Sequence, residues 1–236
     1  MNLKHSVLKR LLPMPFKAEH IQYSVVASLY DDTPAPDTLV EIGLNAAAIA
    51  RKTRLDGLSA RMKGLSFDAN VWPGEHYRLL VGLVSFLKPR RIIEIGTYTG
   101  ISALAMKETL PVDGRIDTYD LCPWKTLPNT SLTEDDFADG RLVQHVDDLT
   151  NWTVFQKHLP VIEEADMLFV DAAKDGICEI KLLENFERAH FKKSPLMVFD
   201  DIRLWNMLAI WRGIQRPKLD LTSLGHYTGT GLVEWV

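Results

Sequence analysis

Arg90–Pro111 reads RRIIEIGTYTGISALAMKETLP. RIIEI, Arg91–Ile95, has the length and the β-branched apolar content of a buried strand. Small and apolar residues in helical composition follow the two glycines, so the segment predicts strand, turn and helix. Open parallel sheets bind ligands at the carboxyl ends of their strands, and this turn is the first such end. Gly96 permits a tight turn, Gly100 lets the next helix approach the strand, and the helix start offers unpaired amides. A dinucleotide fold would carry G-x-G-x-x-G. The spacing here is Gly96-x-x-x-Gly100, with Glu94 two residues ahead. An acid there is a poor partner for pyrophosphate and a good one for an ammonium group or a hydroxyl. That favours a ligand carrying an amino acid over the plain alternative, a glycine turn that serves packing alone.

The pattern repeats along the chain. RIDTYD (115–120), RLVQHV (141–146), DMLFVD (166–171) and LMVFD (196–200) are further strand-length apolar runs. Between and after them lie helical candidates: SLTEDDFA (131–138), NWTVFQKHL (151–159), ICEIKLLENFERAH (177–190) and RLWNMLAIWRGI (203–214). Strand followed by helix, five times over, predicts an α/β fold with a doubly wound parallel sheet. LDLTSLGHYTGTGLVEWV (219–236) departs from this, since two β-rich runs around a Gly/Thr/Tyr loop read as an antiparallel hairpin. The expectation is a mostly parallel seven-stranded sheet finished by that hairpin.

PGEHYRLLVGLVSFLKP (73–89) reads as an apolar-faced helix leading into the first strand. Residues 1–70 read as a helical segment ahead of the domain at 71–236. AEHIQYSVVASLY (18–30) is one helix candidate. DTPAPDTLVEIGLNAAAIARKTR (32–54) is another, with Asp37 as its cap. This segment is expected to act as a lid over the substrate side, or as an oligomer contact in a homodimer.

The 236 residues suffice for one large core with a small appendage. Hydrophobic residues at 46% and charged ones at 25% are ordinary globular composition, which excludes a disordered or fibrous chain. A formal net charge of -4 gives no general attraction to nucleic acid or anionic membrane. Cys122 and Cys178 match no metal or redox spacing and read as reduced thiols. The longest clear apolar run, near Leu79–Leu87, falls short of the roughly 18 residues that span a bilayer. With no signal-peptide pattern at the start, a cytoplasmic protein with a small-molecule substrate is the expectation.

EIGTYTGISAL resembles the first motif of class I S-adenosylmethionine-dependent methyltransferases, in particular the catechol and caffeoyl-coenzyme A O-methyltransferase family. The likeness runs from about Trp72 to the C-terminus. It implies the Rossmann-like methyltransferase fold, with S-adenosylmethionine as cofactor and an oxygen of a small molecule as acceptor. It also implies that the backbone at Gly96, Thr97 and Tyr98 lies along the methionine part and that Ser102 reaches its carboxylate. Asp120 would hold the ribose hydroxyls, a bond that suits a carboxylate. Asp148, or Asp147 beside it, would meet the adenine amino group. Glu94, Gly100 and Asp171 complete the cofactor-binding set.

Apolar strands that end in Asp171, Asp200 and Asp201 put three carboxylates at the mouth of the sheet. Three oxygen donors there suit a hard divalent cation such as Mg²⁺. The resemblance implies a metal site at the same positions, with Asp201 standing where the family carries Asn. Asp200 or Asp201 could instead cap a helix near Arg203. Lys174, in the D-x-x-K spacing after Asp171, matches the family's catalytic lysine. The alternative is a solvated lysine. His226 sits in the hairpin turn, expected at the cofactor edge, and is read as a second catalytic candidate, a base. Rival readings keep the fold and cofactor without the metal, using His226 or an aspartate as base, or make the chain a non-catalytic cofactor-binding module. A nicotinamide oxidoreductase is a weaker rival.

Overall fold

A computed structural model describes residues 35–62 and 68–235. The strands are β1 Arg91–Ile95, β2 Arg115–Asp120, β3 Leu142–Val146, β4 Met167–Val170, β5 Leu196–Asp200, β6 Lys218–Asp220 and β7 Thr230–Glu234. They form one sheet in the order β3-β2-β1-β4-β5-β7-β6. β1 to β5 pair in parallel, and β7 lies antiparallel between β5 and β6. The seven-stranded expectation with its terminal hairpin is met.

The helices are α1 Asp37–Ala50, the short α2 Asp56–Ser59, α3 His76–Leu87, α4 Ile101–Lys107, α5 Trp152–Ile162, α6 Cys178–Arg188 and α7 Met207–Gly213. Alternation along the strands builds a core on each side of the sheet. Ile92, Met167, Phe169, Val198 and Leu232 pack under α1, α3 and α4. Ile93, Leu168, Val170, Phe199 and Val233 pack against α5, α6 and α7. Both faces of β1, β4 and β5 are covered, which is why these central strands read as nearly continuous apolar runs. No described helix is long and apolar enough to cross a membrane.

Three local expectations differ from the structure. Pro36 takes the N-cap of α1, and Asp37 is the first helical residue, where its charge favours the helix start. At 131–138 the chain makes only a 3-10 turn, Glu134–Asp136, closed by Thr133 and Asp136. Polar side chains compete there for the backbone, and Arg61 adds bonds to Asp136 (3.0 Å) and the Ser131 carbonyl (3.0 Å). α7 starts at Met207 instead of near Arg203, because Asp201 (φ 57) and Trp205 (φ 45) are left-handed. The helix expected over 18–30 lies outside the described residues. Within 35–62, α1 packs on α3 and contributes Leu39 and Ala46 to the core, so this stretch covers a face of the sheet.

Candidate active site

The turn after β1 is as tight as its glycines require. Gly96 has φ 103, and a Cβ there would lie 2.0 Å from the Asp171 carbonyl oxygen. Any other residue would push β1 from β4. At Gly100 (φ 82) the crowding comes from Leu132, 2.2 Å from a Cβ, so the room is needed by the following loop instead of by the strand. Tyr98, also left-handed at φ 40, projects outward and is 63% exposed.

Asp120 ends β2 beside this turn. Its carboxylate accepts from the amides of Tyr98 (2.8 Å) and Cys122 (3.1 Å), which fixes its orientation. Glu94 faces the other way, into the α4 layer, and is fully buried. Ser102 donates to it at 2.6 Å, and its second oxygen lacks a hydrogen-bond partner. Burial pushes its pKa up to about 8, against the hydrogen bonds from Ser102 and Thr118. Thr97 is buried and shares a 2.7 Å hydrogen bond with Thr118.

At the ends of β4 and β5, Asp171, Asp200 and Asp201 bring one carboxylate oxygen each within 4.8 Å of one another. The Lys174 ammonium contacts Asp171 and lies 3.6 Å from Asp201. Lys174 itself is left-handed (φ 60), and Glu179 of α6 holds that bend by accepting from the amides of Lys174 (2.6 Å) and Gly176 (3.1 Å). Burial disfavours the ammonium, but the charges of Asp171, Asp200 and Asp201 outweigh it and raise the Lys174 pKa. The amine is therefore charged, without a free lone pair.

His226 reaches the same edge from the β6–β7 turn and bonds Asp200 through Nε2 at 2.8 Å. It is buried behind that carboxylate. His76, the first residue of α3, meets the same Asp200 oxygen at 3.2 Å. The Glu75 amide donates to the Gly225 carbonyl (2.9 Å) and ties the start of α3 to this turn.

One cavity of about 690 Å³ joins these parts. Of the residues predicted from sequence, Gly96, Tyr98, Asp120, Asp148, Asp171, Lys174 and Asp201 line it. Glu94, Thr97, Gly100, Ser102, Asp200 and His226 stand behind the lining. Asp148 accepts from the Thr150 amide (2.9 Å) and hydroxyl (2.7 Å), while Asp147 is bonded to His158 (3.0 Å). Trp205, 75% exposed, stands at the cavity wall, whereas Trp211 is core. Sequence reading missed His76 and Glu179. His76 had a signal: a helix feeding a parallel strand must begin at the sheet's carboxyl edge.

The sequence pattern of the O-methyltransferase family matches residues 60–218, two thirds of the chain and all of this cavity's lining. The chain belongs to the O-methyltransferase family. The expected enzyme class, an S-adenosylmethionine-dependent O-methyltransferase, is met. Similar solved structures include the S-adenosylhomocysteine-bound methyltransferase PaMTH1 of Podospora anserina, at 18% identity and a TM-score of 0.52. That likeness covers 85% of this chain and 88% of that one. A methyltransferase from Geobacter sulfurreducens shows 16% identity and a TM-score of 0.52, covering 86% of this chain and 98% of its own. At such identities the likeness is one of fold. No curated protein sequence matches this O-methyltransferase. The family pattern ends before the hairpin turn, so His226 lies beyond it.

Proposed function

We propose that this O-methyltransferase binds S-adenosylmethionine across the turn after β1 and methylates a hydroxyl oxygen of a small molecule held beside Lys174. The observation that carries this reading is the single cavity, with Asp120 and Asp148 on one flank and Asp171, Lys174 and Asp201 on the other. Asp120, its carboxylate fixed by two amides, accepts from the ribose hydroxyls. The backbone at Gly96–Tyr98 follows the methionine part, and Asp148 meets the adenine edge. Glu94 and Ser102, bonded to each other, stiffen the turn from behind.

In the transfer, the acceptor oxygen attacks the sulfonium methyl in line. The carbon–sulfur bond breaks and its electron pair stays on sulfur, leaving S-adenosylhomocysteine. Positioning supplies most of the rate in such a displacement. Lys174, as an ammonium, donates to the acceptor oxygen and steadies its growing negative charge. The hydroxyl proton leaves to a carboxylate oxygen of Asp171 or Asp201.

Asp171, Asp200 and Asp201 fit a divalent cation. Their oxygens converge at the mouth of the sheet, the all-oxygen donor set that a hard divalent ion takes. When bound, Mg²⁺ or another divalent ion acidifies a hydroxyl at this edge.

Calorimetry with S-adenosylhomocysteine tests the cofactor half, with micromolar binding expected. Absence of heat with both S-adenosylmethionine and its demethylated product refutes it. A screen of diol and phenol acceptors tests the other half, and Lys174→Met is expected to lose turnover while retaining the calorimetric signal.

A further inference from the structure

Asp200 belongs to two groups of converging donors. One is the carboxylate trio. The other joins it to His76 Nδ1 and His226 Nε2, with all three donor atoms within 4.8 Å of one another and all three residues buried. Both imidazoles point at the same oxygen, Oδ1, at 3.2 Å and 2.8 Å, and their rings stand nearly perpendicular at 88°. We propose that His76, His226 and Asp200 are the core of a site for a divalent transition-metal ion, Zn²⁺ being the favoured occupant.

Three features argue for this. The first is donor chemistry, because two imidazole nitrogens and a carboxylate oxygen select Zn²⁺, Fe²⁺, Co²⁺ or Ni²⁺ over Mg²⁺, which prefers oxygen alone. The second is ring support. His226 Nδ1 shares a 2.8 Å hydrogen bond with Thr228 Oγ1, the outer bond that orients a ligating imidazole and fixes which nitrogen faces inward. The third is charge. Asp200 is a buried carboxylate that takes both imidazoles on one oxygen, and buried charges are kept by cationic partners or a coordinated metal.

The ligands come from both ends of the fold, 150 residues apart in sequence, and are drawn together by the bond between Glu75 and Gly225. The site shares Asp200 with the carboxylate trio of the proposed function but differs from it in taking two nitrogen donors. It requires no cofactor.

The test uses the full chain, stripped of metal and free of S-adenosylmethionine. Zn²⁺, Co²⁺ and Mg²⁺ are titrated separately by calorimetry, and Co²⁺ also by visible absorption. One Zn²⁺ per chain is expected, bound at least 100-fold more tightly than Mg²⁺, with Co²⁺ bands of a nitrogen-ligated site. His76→Gln and His226→Gln should each weaken Zn²⁺ at least tenfold and bleach those bands. Equal affinity for Zn²⁺ and Mg²⁺, or no stoichiometric Zn²⁺, overturns the proposal and leaves the imidazoles as hydrogen-bonding partners of Asp200. Unchanged Zn²⁺ affinity in folded variants overturns it equally. Should a variant fail to fold, the wild-type ranking of Zn²⁺ against Mg²⁺ decides alone. Titration of the metal-free wild type with S-adenosylhomocysteine reports on the cofactor reading separately.

Discussion

Glu94 in β1 and Asp200 at the end of β5 are both buried carboxyls, separated in the sheet by β4 alone. Their chemistry is opposite. Glu94 has only hydroxyl partners, Ser102 and Thr118, and one bare oxygen, and burial drives its pKa up to about 8. Asp200 suffers the same burial, yet the charge of His76 and hydrogen bonds from both imidazoles, with Lys174 nearby, hold it well below the usual carboxylate range. Partners decide the outcome, since burial is common to both. The β1 turn is thus stiffened by a mostly neutral strut, while the β5 edge keeps a permanent negative charge that can hold cations.

The isosteric replacements should expose this difference. Asp200→Asn removes the negative partner of buried cationic groups, and breaking such a pair costs about 3–5 kcal/mol. For a chain of this size that is a fall of roughly 10 °C in melting temperature, read by calorimetry. If Asp200→Asn and Glu94→Gln shift the midpoint equally, the account from partners fails. Gly96→Ala sharpens the β1 side, because its Cβ would strike the Asp171 carbonyl at 2.0 Å from a left-handed backbone. A loss of about 3 kcal/mol is expected, and S-adenosylhomocysteine binding should go with it. Asp120→Ala touches neither buried acid. It should leave the melting temperature nearly unchanged and weaken S-adenosylhomocysteine by about 30-fold, near 2 kcal/mol, in calorimetry.

Much of the β5 edge was legible, because a parallel strand that ends in carboxylate delivers that charge to the ligand-binding edge wherever the loops go. Asp171, Asp200, Asp201 and Lys174 meet for that reason. Which carboxylates line the cavity and which stand behind it was not legible, since side-chain direction depends on backbone bends such as the left-handed Asp201 and Lys174. The position of His226 at this edge followed from the hairpin, but its burial against Asp200 followed from α3, whose His76 read only as part of an apolar-faced helix. Glu179 was hidden for a related reason: an acid in the first turn of α6 reads as dipole complement, while its bonds to Lys174 and Gly176 arise only after the loop folds back. The fold itself was open to reading because the central strands β1, β4 and β5 are covered on both faces and read as nearly unbroken apolar runs.

The smallest predicted effect lies in the pH dependence of Glu94→Gln. In the unfolded chain a glutamate releases its proton near its ordinary value of 4.5, whereas folded Glu94 keeps it up to about 8. Between those values unfolding releases a proton, so rising pH favours the unfolded state. Stability from this group is present in full below 4.5, falls through the window and levels off above about 8. One proton sets the limit at about 1.4 kcal/mol per pH unit. Glutamine cannot titrate, and it satisfies the same pocket without charge. Urea unfolding at half-unit steps of pH should therefore give a wild-type curve that descends relative to the variant across this window. Because every other titratable group is common to both proteins, the difference between the two curves isolates Glu94. Parallel curves would mean that Glu94 is ionised in the fold and that hydroxyl partners are enough, which removes the contrast with Asp200.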